Sequence, residues 1–280
     1  MPSQNPMREL YSKRPSIMAW LFVKASLVLV GCSLGAPPGA KTPLSKKPRV
    51  LFVGDSLTVD GFGEGMEGIL IQAFGATKVA VYGCCGASVE HFLKDTPVFT
   101  CRCGYRETTP ETKMLDNWEG GQTPRPVPTP KLATLLKAHQ PEIVIVQLGT
   151  NNFDTLLKEG EKSMATQSLY FERFAEEVVS TTGSLRRAIW VAPPDSAKYP
   201  AHIEKAVDQM IEQAARKHGI HVIRSSQFTR YVMGKSGTDG VHYHTKSAKE
   251  WAEKVHLKLN QILFPEKGRT TQDIAPPSTR

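Results

Sequence analysis

The 280-residue sequence has no internal repeat, which removes solenoid and propeller architectures. No apolar run approaches the roughly 20 residues that a membrane-spanning helix needs. The main apolar stretch, Ile17 to Gly31 (IMAWLFVKASLVLVG), is shorter than that and is broken by Lys24, so a stable span is not expected. Cysteine is scarce, with 5 in all, and no two have the C-x-x-C spacing of a zinc knuckle. What is present is ordinary globular composition: 40% hydrophobic, 22% charged and 8% aromatic. The length allows one large domain or two small ones. Lys+Arg 35 against Asp+Glu 27 gives +8, which alone would point to nucleic acid or an anionic surface. That excess lies outside the body of the chain. Met1 to Gly31 carries +3, the next stretch through Arg49 carries +4 and the last 15 residues +1, leaving residues 50–265 with 24 basic and 24 acidic side chains. No nucleic-acid partner is expected.

Arg8, Lys13 and Arg14 ahead of the apolar stretch give residues 1–31 the layout of an export signal. The stretch ends Leu29-Val30-Gly31-Cys32, which resembles the lipobox of bacterial lipoproteins, so Cys32 is the candidate for acylation and for the mature N-terminus. Cleavage by ordinary signal peptidase is the alternative; either way the chain is exported. A lipid anchor is the only membrane contact expected. Residues 32–48, rich in Pro, Gly and Lys, read as a spacer. Residues 266–280 (EKGRTTQDIAPPSTR) read as a disordered tail.

Between them, residues 49–265 form the expected folded domain. Arg49 to Val53, Lys78 to Tyr82, Ile143 to Leu148, Ala188 to Ala192 and His221 to Arg224 are short β-branched runs, continuous rather than alternating, as suits strands covered on both faces. Helical patterns lie between them, clearest in Ala201 to His218 (Ile203, Val207, Met210, Ile211, Ala214) and Lys246 to Leu263 (Ala248, Trp251, Val255, Leu259, Ile262). The alternation implies a three-layer α/β/α sandwich with a parallel five-stranded sheet. Residues 94–129, rich in Pro and Gly, break the alternation as an insert of the length that is usually functional or disordered.

Three of the runs end in chemistry-bearing motifs: Gly54-Asp55-Ser56-Leu57, Gly83-Cys84-Cys85-Gly86 and Gly149-Thr150-Asn151-Asn152. Ligands of open α/β folds bind at such strand ends. Asp239-Gly240-Val241-His242 precedes the last helix. The serine is not set in a G-x-S-x-G elbow. Taken singly, Ser56 and Asn151 could be helix caps and Gly86 a turn residue. A serine nucleophile, however, needs a base, the base an orienting carboxylate, and the oxyanion fixed donors, and the four motifs supply them in order. In that order they resemble the SGNH (GDSL) hydrolase superfamily over about Arg49 to Leu263. The resemblance implies a flavodoxin-like fold and an acyl-enzyme mechanism without cofactor or metal. Ser56 would be the nucleophile, His242 the base and Asp239 its orienter. The Ser56 and Gly86 N–H groups and the Asn151 amide would make the oxyanion hole. Asn152 stands where an aspartate is commonest and Tyr243 where a proline often follows. His244 is the rival base, lacking the family spacing to Asp239; His218, beside Gly219, reads as a cation at a helix C-terminus.

Cys84, Cys85, Cys101 and Cys103 flank or lie in the insert. Two bridges joining Cys84 and Cys85 to Cys101 and Cys103 are expected after export, with the partners open and a four-thiolate zinc site the alternative. The insert carries Phe99, Arg102, Tyr105, Arg106 and Trp118 without a long apolar run. Trp118 and Tyr105 are therefore candidate sugar contacts, or packing residues of the loop itself. Together with export this favours a carbohydrate esterase, by resemblance an O-acetylesterase acting on envelope or extracellular polysaccharide. A lipase, lysophospholipase or thioesterase, and an envelope acetyltransferase or binding protein, are the alternatives.

Overall fold

A computed structural model describes residues 43–117 and 121–265. The signal-like segment, Cys32, most of the spacer, Trp118 and the tail lie outside the described residues. Five strands, β1 (Val50–Gly54), β2 (Val79–Cys84), β7 (Ile143–Gln147), β8 (Arg187–Ala192) and β9 (His221–Arg224), form the parallel part of the sheet in the order β2-β1-β7-β8-β9. Alternate residues serve opposite faces, so a continuous apolar run fills both. Leu51, Val53, Val144, Val146 and Trp190 pack under α4 (Leu132–His139), α6 (Glu161–Ser180) and α7 (Ala201–His218). Val50, Phe52, Ile143, Ile145, Ile189 and Val191 pack under α2 (Gly61–Phe74) and α8 (Thr245–Leu263). Each such side chain, fully buried, contributes about 1.5–3 kcal/mol. The stripes expected for α7 and α8 are the faces that turn inward, with Ile262 partly covered.

The sheet has seven strands, not five. The insert supplies the other two, β4 (Tyr105–Thr108) and β5 (Lys113–Asp116), an antiparallel hairpin added to the β2 edge in the order β5-β4-β2. Two further short insert strands, β3 (Thr100–Cys101) and β6 (Val127–Pro128), pair with each other. The segment that interrupts the alternation is thus a covered edge, which protects β2 from open strand pairing. Among the described residues no helix is long and apolar enough to cross a membrane.

The register fixes where the motifs meet. Gly54 pairs with Gly83 on one side and with Gln147 on the other, so β1, β2 and β7 finish level. Ser56, Gly86 and Asn151 follow at one edge, at the point where the strand order reverses.

Candidate active site

Ser56 opens α1 (Ser56–Val59), a single turn capped by Asp55, whose Oδ1 accepts the Leu57 N–H at 3.0 Å. The Asp55 carbonyl takes the Thr58 and Val59 N–H groups. The Ser56 N–H belongs to the first-turn donors that a helix cannot use internally. Asp55 is fully buried, and burial pushes its carboxyl up from 3.8 to about 6, opposed by the Leu57 N–H and by the proximity of His242.

The His242 ring lies between serine and carboxylate. Its Nε2 is 2.9 Å from Ser56 Oγ and its Nδ1 2.5 Å from Asp239 Oδ2. Asp239 Oδ1 meanwhile accepts the Val241 and His242 N–H groups, both at 2.8 Å. One carboxylate therefore shapes its own loop and orients the ring. Partial burial works against its ionisation, but the His242 ring and the two N–H groups outweigh that and hold it at about 2. His244 does not compete: it is exposed and caps α8.

Two residues without a sequence signal hold this loop. The Tyr231 hydroxyl accepts the Gly240 N–H at 3.0 Å and donates to the His242 carbonyl at 3.2 Å. Gly237 must be glycine, because a Cβ there would come within 2.2 Å of the Tyr231 hydroxyl and 1.9 Å of the His242 carbonyl oxygen. Tyr243, where proline is commoner, donates to the Asp195 carbonyl at 2.6 Å and packs edge-on to Tyr231.

Gly86 follows β2 in a turn at φ +83, with Phe99 lying over it. Phe99 in turn stacks on His91, whose ring accepts the Ser88 N–H and is held down to about 4 by burial and by Lys131. Asn151, in the first turn of α5 (Thr150–Glu159), donates one amide hydrogen to the Ala87 carbonyl at 2.9 Å, which ties the Gly86 and Gly149 loops together. Asn152 is buried and points away, donating to Gln167 at 2.5 Å and towards Glu90 at 3.4 Å. An aspartate at that position would face the buried Glu90 carboxyl, which explains the amide.

The four cysteines at the insert form two disulfides, Cys84–Cys101 and Cys85–Cys103, so none of these four is left as a thiolate for zinc. A cleft of about 1150 Å³ opens beside Ser56 and His242. Its walls are the Cys85–Cys103 bridge, the start of α2, the residues just after His242, and the β4–β5 hairpin. Tyr105 is not among them. It is 3% exposed, faces the core beside Tyr82 and donates to Glu107, so its role is packing. Strand alternation instead turns its neighbours Arg106 and Thr108 to the cleft.

The family profile described as GDSL-like lipase/acylhydrolase matches residues 50–255. The chain belongs to this family. It is accordingly an ester-bond hydrolase. Among solved structures it resembles a peptidoglycan O-acetylesterase (12% identity, TM-score 0.50, covering 80% of this chain and 93% of that one). It also resembles a variant of an acetyl-xylooligosaccharide esterase from Geobacillus stearothermophilus (14% identity, TM-score 0.50, covering 78% and 95%). At such identities the likeness concerns the fold. No curated protein matches the chain by sequence.

Proposed function

We propose that the enzyme is a carbohydrate O-acetylesterase working through an acyl-enzyme. Ser56 Oγ attacks the ester carbonyl carbon as its proton passes to His242 Nε2, and Asp239 steadies the imidazolium. The Ser56 and Gly86 N–H groups and the Asn151 amide receive the oxyanion. Collapse of the tetrahedral intermediate breaks the bond to the alcohol oxygen, which takes the proton from His242. Water, deprotonated by the same ring, then releases the acid and restores Ser56.

The observation that carries the substrate reading is the side on which the cleft opens. His242 must protonate the leaving oxygen, so the alcohol lies on the imidazole side, and there the cleft runs past Tyr243, His244 and Thr245 towards the β4–β5 hairpin. Its lining sets Asp60, Glu64, Lys113 and Asn117 among Val59, Ile71, Met114 and Leu115, a mixture of hydrogen-bonding groups and apolar surface that can receive a sugar ring with its hydroxyls. The acetylated glycans named for the two structural neighbours agree with this choice. Residues ahead of the domain fit export and an anchor at Cys32. Ser45 binds Glu142 and Arg49 binds the Gln140 carbonyl, which ties the chain ahead of β1 to the end of the sheet opposite Ser56.

Rates on acetyl and long-acyl esters, and acetate release from O-acetylated glycans, test the reading. Ser56→Ala is expected to lose at least about 10⁴-fold in kcat. Long-chain esters hydrolysed as fast as acetyl esters would overturn the O-acetylesterase assignment, and full activity of Ser56→Ala would overturn the mechanism.

A further inference from the structure

Helix α1 is too short to hold itself. Two α-helical bonds close it, Val59 N–H to the Asp55 carbonyl at 3.2 Å and Asp60 N–H to the Ser56 carbonyl at 3.1 Å, and a single turn of helix is far below the length that is stable alone. Its carbonyls at the C-terminal end need donors from elsewhere. For the Val59 carbonyl they come from the insert. In the antiparallel pair of β2 and β4, Gly83 is the register partner of Arg106. Because residue 83 has no side chain, α1 can lie directly on β2: a Cβ there would stand 2.9 Å from Val59 N and 3.2 Å from the Thr58 carbonyl oxygen. From the adjacent strand the Arg106 guanidinium reaches the same turn. Its Nε and Nη2 donate to the Val59 carbonyl at 3.1 and 2.8 Å, and its Nη1 donates to Glu67 Oε2 on α2 at 2.7 Å. Arg106 and Glu67 are each only 5% exposed. Charge-assisted bonds in such surroundings are directional and stiff.

We propose that Arg106 is a positioning residue for the nucleophile. By gripping the last carbonyl of α1 it fixes the rotation of that turn, and with it the 2.9 Å approach of Ser56 Oγ to His242 Nε2, while Glu67 balances the charge of the buried guanidinium. The turn is then fixed from both ends, by Asp55 at the start and by Arg106 at the finish. This rests on Ser56 being the nucleophile, and it holds whichever ester is the natural substrate.

The test uses the whole protein and 4-nitrophenyl acetate, with kcat, KM, the rate of Ser56 phosphonylation by a fluorophosphonate, and thermal melts. Arg106→Lys retains a cation for Glu67 but loses the two-donor grip. Its kcat is expected to fall about 10- to 100-fold, the range for a small misplacement of a reacting group. KM is expected to stay within about 3-fold, and phosphonylation to slow in parallel with kcat. Glu67→Gln keeps the grip, so it is expected to melt lower yet retain kcat within about 3-fold. The double variant Arg106→Met, Glu67→Met removes both charges together, a change that buried pairs often tolerate, and it is expected to lose kcat as Arg106→Lys does. A folded double variant, or Arg106→Lys, turning over at the wild-type rate would overturn the proposal. So would a raised KM with kcat intact, which would make Arg106 a substrate contact, or an equal kcat loss in Glu67→Gln. If the double variant does not fold, the contrast between Arg106→Lys and Glu67→Gln decides. Activity surviving in Ser56→Ala would instead remove the nucleophile on which the proposal stands.

Discussion

Asp55→Asn should stabilise the enzyme at neutral pH while leaving its stability in acid nearly unchanged. Asp55 has no exposed surface, and burial lifts its carboxyl from 3.8 to about 6. The Leu57 N–H, the nearby His242 and the Thr150 and Gln147 side chains offset only part of that rise. Between about pH 4 and 6 the native state therefore keeps a proton that the unfolded chain has released, and stability falls as the pH rises through that window. Above it the native state carries a buried carboxylate. A shift of about two units corresponds to about 3 kcal/mol. Asparagine is uncharged and nearly isosteric, and its Oδ1 can still accept the Leu57 N–H. Some attraction to neighbouring groups is lost, so the expected gain is about 2 kcal/mol, or about 4–8 °C in Tm for a domain of this size. Thermal melts of both proteins from pH 4 to 8 check this, since the difference between the two cancels every other titrating group. The gap should open between pH 4 and 6 and stay level above. A gap independent of pH, or a variant less stable at pH 8, would refute the reasoning.

Tyr231→Phe removes the hydroxyl shared by Gly240 and His242 and should cost about 1–3 kcal/mol in denaturant unfolding, with kcat falling more than KM rises. Asn152→Asp sets a second carboxyl beside Glu90, whose own carboxyl burial already pushes up; the expected loss at neutral pH is about 3 kcal/mol, shrinking in melts at lower pH as the pair takes up a proton. Replacing Cys85 and Cys103 together by serine opens a bridge with a sequence separation of 18 and should lower stability by about 3 kcal/mol. The same variant should lower kcat, because Cys85 adjoins Gly86; an unchanged kcat would show that the Gly86 turn does not need the bridge.

The parallel sheet and the meeting of Ser56, Asp239 and His242 were legible because local pattern carries them. β-branched runs without alternation require cover on both faces, and a carboxylate three residues before a histidine can cap the loop between them as well as hold the ring. The added hairpin was not legible. Its strands are four residues each, and what makes them strands is pairing to β2, a contact between residues far apart in sequence. Tyr105 was singled out as an aromatic among polar groups, yet parity along β4 decides its fate, turning it to the core and Arg106 to the cleft. Tyr231 gave no signal because it acts on backbone atoms nine and eleven residues later.

The insert is better understood as part of the catalytic framework than as a wall added to it. Four consecutive residues at the end of β2 each depend on it. Gly83 faces Arg106 across the pair, Cys84 bonds Cys101, Cys85 bonds Cys103, and Gly86 lies under Phe99. Two of the elements thus held, α1 through Arg106 and the Gly86 turn through the bridge and Phe99, are those that present Ser56 and the Gly86 N–H, the proposed nucleophile and oxyanion donor. The third support, Asn151, reaches the same turn through Ala87 from the opposite strand. Because reacting groups must be held to within a fraction of an ångström, the two disulfides and the ion pair buried on both sides, Arg106–Glu67, stand where the polypeptide is least able to hold itself, at a one-turn helix and a glycine turn. The long helices α7 and α8 carry ion pairs that reach solvent, Lys217–Glu172, Arg224–Glu212 and Lys249–Glu64, and it is their apolar stripes that fix them.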